Sequence, residues 1–145
     1  MSKTTNNPTL LVVTLYFSSI FHVIGGLMIL FSQESAQCYC EIVFGYILNI
    51  NKEMEYILRN LGVYALAFGI ILFFSAKNPR RHKPVILSLM IIYAFRVFNS
   101  FFTIETIHSS FQVPVYRIYM AIFILTTILI LLILGYFRIS NETRD

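Results

Sequence analysis

Four long apolar runs, separated by more polar segments, dominate the pattern of the chain. They cover about residues 9–31, 54–76, 85–107 and 115–137. A helix of about 20 apolar residues is long enough to cross the hydrocarbon core of a bilayer. Because backbone groups in lipid must find their hydrogen-bond partners within the protein, each run predicts a membrane-spanning helix.

The segments that connect the runs predict how the helices are arranged. Two connections are short, while residues 32–52 form a longer one that ends in the apolar stretch EIVFGYILNI. That stretch is too short to span and is typical of an interfacial or re-entrant segment. We therefore predict an all-α fold, an integral membrane antiparallel four-helix bundle with a short interfacial segment in the first outer loop. Residues 1–145 would form a single membrane domain.

The composition agrees with a membrane protein and argues against a soluble one. Hydrophobic residues make up 57% of the chain and charged residues 12%, whereas about 25% charged residues is usual in soluble domains. The chain holds no Gly-rich phosphate loop, no HExxH pair and no nucleophile elbow. The formal net charge of +4 comes from basic residues beside the apolar runs, so we expect a lipid bilayer and no nucleic acid as partner.

The basic residues predict the orientation of the chain in the membrane. The segment KNPRRHKP, residues 77–84, places four basic residues in one short loop. Short loops rich in Lys and Arg remain on the cytoplasmic side. With four spans, both termini then also face the cytoplasm, and we expect a multi-pass protein of the bacterial inner membrane.

Arg96 lies in the middle of the third run, eleven residues from each of its ends. An arginine at that depth costs about 2.5–3.5 kcal/mol or more, so it requires polar partners. On a helix, Tyr93, Asn99, Ser100 and Thr103 lie on the same side as Arg96. This polar stripe is the strongest indication of a functional site.

Polar residues of other runs are predicted at a similar depth. Counted from the outer ends of the helices, His22 and Tyr64 lie level with Arg96 and Asn99, and Arg59, Asn60 and Ser100 extend the group outward. An arginine with imidazole, phenol and amide partners can bind an anion or a carbonyl group. The candidate ligand-binding residues are therefore His22, Arg59, Asn60, Tyr64, Arg96, Asn99 and Ser100.

Each of these residues also has a purely structural interpretation. Asn99, Tyr64 and helix carbonyls could satisfy Arg96 and connect the helices, and His22 could form a simple interhelical hydrogen bond. Glu105 lies at the outer rim, where an ion pair with Arg59 or Arg117 is the expected arrangement. No catalytic residue is assigned, and whether the protein is an enzyme stays open, with the balance against it.

Cys38 and Cys40 lie in the predicted outer loop. A disulfide between cysteines of a C-x-C sequence closes a strained ring, and a metal site would need further ligands, of which His108 is one candidate. Unpaired cysteines are the favoured interpretation, and we expect neither a metal nor a cofactor.

Small residues form faces on the first two runs. Gly25 and Gly26 lie on one side of the first run, and Gly62, Ala65 and Gly69 follow one another along the second. Small residues let helix backbones approach closely in lipid. These faces predict helix contacts, either within the bundle or with a partner.

Several short motifs resemble a known group of membrane proteins. They are RNLGVYALAFGIILF at residues 59–73, PRRH at residues 79–82, Arg96 in the third run, and the H-x-x-x-G of His22 and Gly26. In their order they resemble the BphX-like small four-helix membrane proteins and, more distantly, the DoxX-like group. The number of helices is also similar to that of the sterol-binding EXPERA proteins.

The resemblance to these groups implies a four-span bundle whose biochemical activity is largely unassigned. Similarity to DoxX-like proteins also implies association with redox or quinone-linked complexes. The acidic residues of the central EXPERA cavity have no counterpart here, because Glu55 and Glu105 lie at the predicted rim. Sterol isomerase chemistry is therefore not expected.

Three functional hypotheses follow from the sequence. The first is a protein that binds an amphipathic small molecule or lipid in an intramembrane pocket centred on Arg96. The second is a non-enzymatic subunit or accessory of a larger membrane complex, or a homo-oligomer, that docks through its glycine faces. The third, an isomerase or oxidoreductase, has the least support. Acid/base catalysis usually needs a pair of groups, and His22 is the only such candidate predicted at mid-membrane.

Overall fold

The computed structural model of the protein describes residues 9–46 and 50–141, and all the regular structure in them is helical. Four helices, α1, α3, α4 and α6, are long and apolar enough to cross a membrane, which confirms the all-α prediction and the four apolar helices. The elements in chain order are α1 (Thr9–Phe31), α2 (Gln33–Phe44), α3 (Lys52–Lys77), α4 (Lys83–Phe102), α5 (Ile104–Phe111) and α6 (Val115–Asn141).

The first outer connection, which we expected to be a loop, is mostly the helix α2. Ser32 caps its start, because its side chain accepts a hydrogen bond from the Ser35 amide at 3.1 Å. The helix ends at Gly45, whose φ of 77° is left-handed and whose amide donates to the Glu41 carbonyl at 3.0 Å. The apolar stretch at residues 41–50 therefore begins as the last turn of α2, and residues 47–49 of it lie outside the described part.

The start of α3 is capped by a side chain. The Asn51 side chain accepts a hydrogen bond from the Met54 amide at 2.8 Å, and Glu53 and Glu55 occupy the first turn. Lys77 lies in the last turn, so both ends of α3 carry charges that match the helix dipole.

The third apolar run is divided into two helices at Thr103. We expected one span over residues 85–107, but α4 ends at Phe102 and α5 starts at Ile104. Both the Thr103 amide, at 3.1 Å, and its hydroxyl, at 2.9 Å, donate to the Asn99 carbonyl. The last carbonyl-bonded turn of α4 therefore includes Thr103, and the spanning helix ends five residues before the end of the apolar run.

The glycine faces of α1 and α3 pack against each other. A Cβ atom on Gly26 would lie 2.7 Å from the Leu66 amide nitrogen and 2.8 Å from the Gly62 carbonyl oxygen. At the other end of the contact, the Ser19 hydroxyl donates to the Gly69 carbonyl at 2.7 Å. Only glycine permits this distance between backbones. The two contacts also show that α1 and α3 run antiparallel.

The packing of the long helices leaves a gap on one side. The most extensive contacts join α1 to α3, α4 to α6, and α1 to α6, whereas α3 and α4 are consecutive but make few contacts. One apolar core lies where the four long helices meet, and smaller cores lie beneath α2 and α5. The main core is formed by Leu11, Leu15, Leu72, Ala76, Ile86, Leu89, Tyr93, Leu132 and Ile139.

Large apolar side chains cover the outside of the long helices. Phe123 on α6 is 73% exposed, and Phe95 on α4 is 70% exposed. A soluble protein rarely exposes apolar patches of this kind. The surface is suited to contact with lipid tails.

Candidate functional site

Arg96 lies closer to the end of its helix than the sequence indicated. It is six residues before Phe102, where α4 ends, which at about 1.5 Å per residue is about 9 Å along the axis. The end of α4 at Phe102, before the end of the apolar run, accounts for this difference from the predicted mid-span position. An arginine about 9 Å from a helix end can extend its side chain toward the interface.

The Arg96 guanidinium has no hydrogen bond and no ion pair within residues 9–46 and 50–141, and it faces three cavities. Two other arginines differ from it. Arg59 forms an ion pair with Glu55 at 2.7 Å, and Arg117 donates to the Glu41 carbonyl at 3.2 Å. Arg96 is thus a cation whose five N–H donors remain available.

The first cavity is polar and lies between α4 and α6 beneath the end of α2. Its volume is about 210 Å³. Phe44, Tyr46 and Phe111 stack on one another above it, with ring centroids 5.5 and 5.0 Å apart. Its polar lining residues are Tyr46, Arg96, Asn99, Ser100, Thr103 and Arg117. We call it the polar cavity.

The second cavity is apolar, with a volume of about 190 Å³, and lies between α1, α4 and α6. Four residues, Phe44, Arg96, Ala121 and Leu125, line both this cavity and the polar one, so the two adjoin. The remaining lining of this apolar cavity consists of Phe17, Ser18, Phe21, Val43, Tyr93, Ile124 and Ile128. Together the two cavities form an amphipathic site with Arg96 at the junction.

Ser18 contributes an unusual polar group to the wall of the apolar cavity. Its side chain is only 1% exposed, and its hydroxyl has no well-formed hydrogen bond within the described residues, although the Tyr93 hydroxyl is its neighbour. A buried hydroxyl without a partner costs about 1–3 kcal/mol. A polar atom of a ligand in the cavity would remove that cost.

The third cavity is a groove of about 590 Å³ between α3 and α4, and two further predicted site residues, His22 and Tyr64, line it together with Arg96. The His22 Nδ1 lies 2.7 Å from the Ser18 carbonyl. Since a carbonyl only accepts, Nδ1 carries the proton and Nε2 of the neutral ring is an acceptor. The ring also packs edge-on against Phe21 and Phe68. We call this cavity the α3/α4 groove.

The seven candidate residues are therefore divided among three places. Arg96, Asn99 and Ser100 share the polar cavity, while His22 and Tyr64 share the α3/α4 groove with Arg96 alone. Arg59 and Asn60 line none of the three cavities: Arg59 pairs with Glu55, and the Asn60 amide donates to the Tyr56 carbonyl at 2.9 Å.

Sequence reasoning did not assign Arg117 and Tyr46 to the site. From the sequence, Arg117 is expected only as a possible ion-pair partner of Glu105. The signal that the sequence offers is a basic residue in the first turn of the last spanning helix. Which neighbour it meets depends on the end of α2, and no local pattern specifies that contact.

The buried ionisable groups of α2 and of the residue pair that follows it do not supply a negative charge to balance Arg96. Burial raises the pKa of Tyr39 to about 12, and burial also raises the pKa of Tyr46 and of the Cys40 thiol. The Arg96 charge acts in the opposite direction on both tyrosines, but burial has the larger effect. All three groups therefore stay neutral near pH 7.

The part of the chain that the structure describes holds no cluster of three His, Cys, Asp or Glu side chains suited to a metal ion. Its two cysteines are unpaired, with Cys38 exposed and Cys40 buried.

No protein family model matches the chain, and no curated protein or solved structure is significantly similar to it.

Proposed function

We propose that this is a multi-pass membrane protein, an antiparallel four-helix bundle that binds an amphipathic small molecule or lipid in an intramembrane site centred on Arg96. The supporting observation is the position of Arg96, without a hydrogen bond in the described chain, where the polar and apolar cavities adjoin. The family resemblance to BphX-like and DoxX-like proteins is compatible with such a bundle.

The energetics of Arg96 favour a ligand over a structural tie. If Arg96 only connected helices, its donors would be paired with carbonyls or with the Asn99 and Tyr64 side chains. In the described residues they are not paired, so water or a ligand must satisfy them within a bilayer. A molecule with one polar and one apolar end fits both cavities at once.

An alternative proposal is a subunit or accessory of a larger membrane complex, or a homo-oligomer. The α3/α4 groove favours it, since Tyr64 on that side is 71% exposed and α3 and α4 leave a gap that another helix could fill. The glycine faces are used inside the chain, where Gly26 meets Gly62 and Gly69 meets Val23. A partner would therefore have to use the groove.

Substitution of Arg96 tests the proposed function. We expect Arg96→Met to fold, because methionine keeps the apolar stem and removes a charge that is costly within a bilayer, and to lose the molecules that co-purify with the wild type. Arg96→Lys should restore binding poorly, since lysine lacks the planar fork of donors. Mass spectrometry of protein purified in mild detergent measures retained molecules, and thermal unfolding measures folding.

A folded Arg96→Met protein that retains the same molecules as the wild type would exclude the Arg96 site. A companion protein chain that co-purifies with both, in place of a small molecule, would favour the complex subunit.

Thiol labelling tests the proposed topology, with both termini and residues 77–84 in the cytoplasm of a bacterium. An impermeant maleimide added to intact cells should label the exposed Cys38. Cys40 should react slowly, because it is buried and its raised pKa leaves little thiolate. A cysteine introduced by Asn78→Cys in a Cys38→Ser background should label only after the cells are opened. The reverse pattern would invert the topology.

A further inference from the structure

We infer that the ligand's polar end is an oxyanion, a phosphate or carboxylate held between Arg96 and Arg117, and that its apolar chain occupies the apolar cavity. This inference rests on the proposed function and specifies its ligand class. Arg117 thereby becomes a second binding residue.

The donors of the polar cavity point to an anion. Its lining has two arginines and no Asp or Glu among the described residues. The hydroxyl hydrogens of Ser100 and Thr103 are already donated to the carbonyls of Arg96 and Asn99, at 2.8 and 2.9 Å. The available hydrogen-bonding capacity is therefore mostly the guanidinium N–H groups and the Asn99 amide, which suit a group with several acceptor oxygens.

The end of α2 positions Arg117. Its Nη1 donates to the Glu41 carbonyl at 3.2 Å in the last turn of α2, where the helix dipole is negative. Gly45 lies beside the guanidinium, and a Cβ there would be 2.8 Å from Nη1. The Glu41 carbonyl accepts from one N–H group of Arg117, so the other N–H groups of the guanidinium remain available. The side chain is thus held at the cavity without being neutralised.

A neutral polar group would fit this cavity less well. A neutral carbonyl or hydroxyl oxygen can accept hydrogen bonds from the arginines, but it has no charge to offset two cations near the hydrocarbon region, where an uncompensated charge is costly. An oxyanion can accept from both arginines and lowers the net charge of the cavity. The neutral states of Tyr39 and Tyr46 mean that neither tyrosine replaces it.

The two cavities also predict the orientation of the ligand. Along α6, Arg117 lies in the polar cavity, Ala121 and Leu125 lie at the junction, and Ile128 lies in the apolar cavity. From Arg117 to Ile128 the rise is about 16 Å at about 1.5 Å per residue. The head group would therefore lie near the outer end of α6, with the chain directed toward the main core.

Binding of four probes to the purified full-length protein tests the inference. Lysophosphatidic acid, oleic acid and monoolein can carry the same oleoyl chain, with a phosphate, a carboxylate and a neutral head group, and inorganic phosphate has no chain. Affinities would be measured in detergent by titration calorimetry and native mass spectrometry. We expect both anionic amphiphiles to bind at least about tenfold more tightly than monoolein, and inorganic phosphate to bind far more weakly than lysophosphatidic acid.

Matched arginine variants complete the experiment. Arg96→Met and Arg117→Met should each weaken the anionic amphiphiles about 10- to 100-fold, the equivalent of one lost charged hydrogen-bond partner, with little change for monoolein. Arg138→Met removes the same charge at the opposite end of α6 and should change nothing. Lysine variants at residues 96 and 117, with thermal unfolding of every variant, separate loss of binding from loss of folding.

The outcomes distinguish this inference from the proposed function. Equal binding of monoolein and oleic acid, or undiminished binding of anions to a folded Arg117→Met protein, overturns the two-arginine site but leaves an Arg96 pocket. Inorganic phosphate binding as tightly as lysophosphatidic acid would mean a site for a free anion and overturns the amphiphile. A wild-type protein that binds none of the amphiphiles and retains no molecule on purification overturns the proposed function itself.

Discussion

A Gly26→Leu protein is expected to lose its native fold or to unfold at a much lower temperature. Even the first carbon of a side chain at residue 26 would lie 2.7 Å from the Leu66 nitrogen and 2.8 Å from the Gly62 oxygen, both backbone atoms of α3. Backbone atoms cannot turn away as a flexible side chain can, so α1 and α3 must separate. Overpacking costs about 1–3 kcal/mol or more, and Gly26→Ala should show a smaller loss.

Separation of α1 and α3 would also break the Ser19 to Gly69 hydrogen bond of 2.7 Å. Thermal unfolding in detergent and in lipid bilayers measures the loss. Ala94 on α4 is exposed, so Ala94→Leu is a matched control that adds a similar side chain on the outside. If Gly26→Leu and Ala94→Leu unfold at the same temperature in both environments, the α1/α3 contact is not what stabilises the fold.

An Ala121→Phe protein is expected to fold but to lose its bound amphiphile almost completely. Ala121 lines both the polar and the apolar cavity and is half-buried at their junction. A phenyl ring there would fill the connection between head-group and chain positions without changing any charge. The expected loss of affinity is at least about tenfold, because even an extra methylene in a filled site causes strain.

This steric substitution complements the arginine variants. Ala94→Phe adds the same ring at an exposed site of α4 and should keep the ligand. Co-purifying molecules can be quantified by mass spectrometry in both variants, beside their unfolding temperatures. Normal ligand content in a folded Ala121→Phe protein would place the ligand elsewhere, with the α3/α4 groove as the next site to test.

The ends of the helices depend on local chemistry, and the sequence predicted them only in part. Asn51 caps α3 and acidic residues occupy its first turn, as the residue types indicate. The prediction of a loop over residues 32–52 is wrong for α2, although Ser32 is a residue type that often caps a helix. The end of α4 at Phe102 is not predicted either, because the hydropathy of residues 85–107 is continuous across it.

The candidate site could be predicted only in part. Arg96 stands out in the sequence because a charge within an apolar run is costly wherever the helix lies. The helical period also placed Asn99 and Ser100 on its side, and they share its cavity. The helical period does not predict which other helix that side faces. Depth counted from the predicted helix ends groups His22 and Tyr64 with Asn99, but they line the α3/α4 groove and Asn99 lines the polar cavity.

By itself, the sequence determined the all-helical character of the chain, its four long apolar helices, and the arginine that needs a partner. These features depend on the length, period and polarity of single segments. Only the tertiary structure decided that the glycines of α1 and α3 face each other, that α3 and α4 stand apart, and that Arg117 joins Arg96 beneath α2. The physical reason is that the rotation of a helix about its axis, and the helices beside it, depend on contacts between segments distant in sequence. Here the close backbone packing of α1 on α3 and the contact of Arg117 with the end of α2 outweigh any local preference.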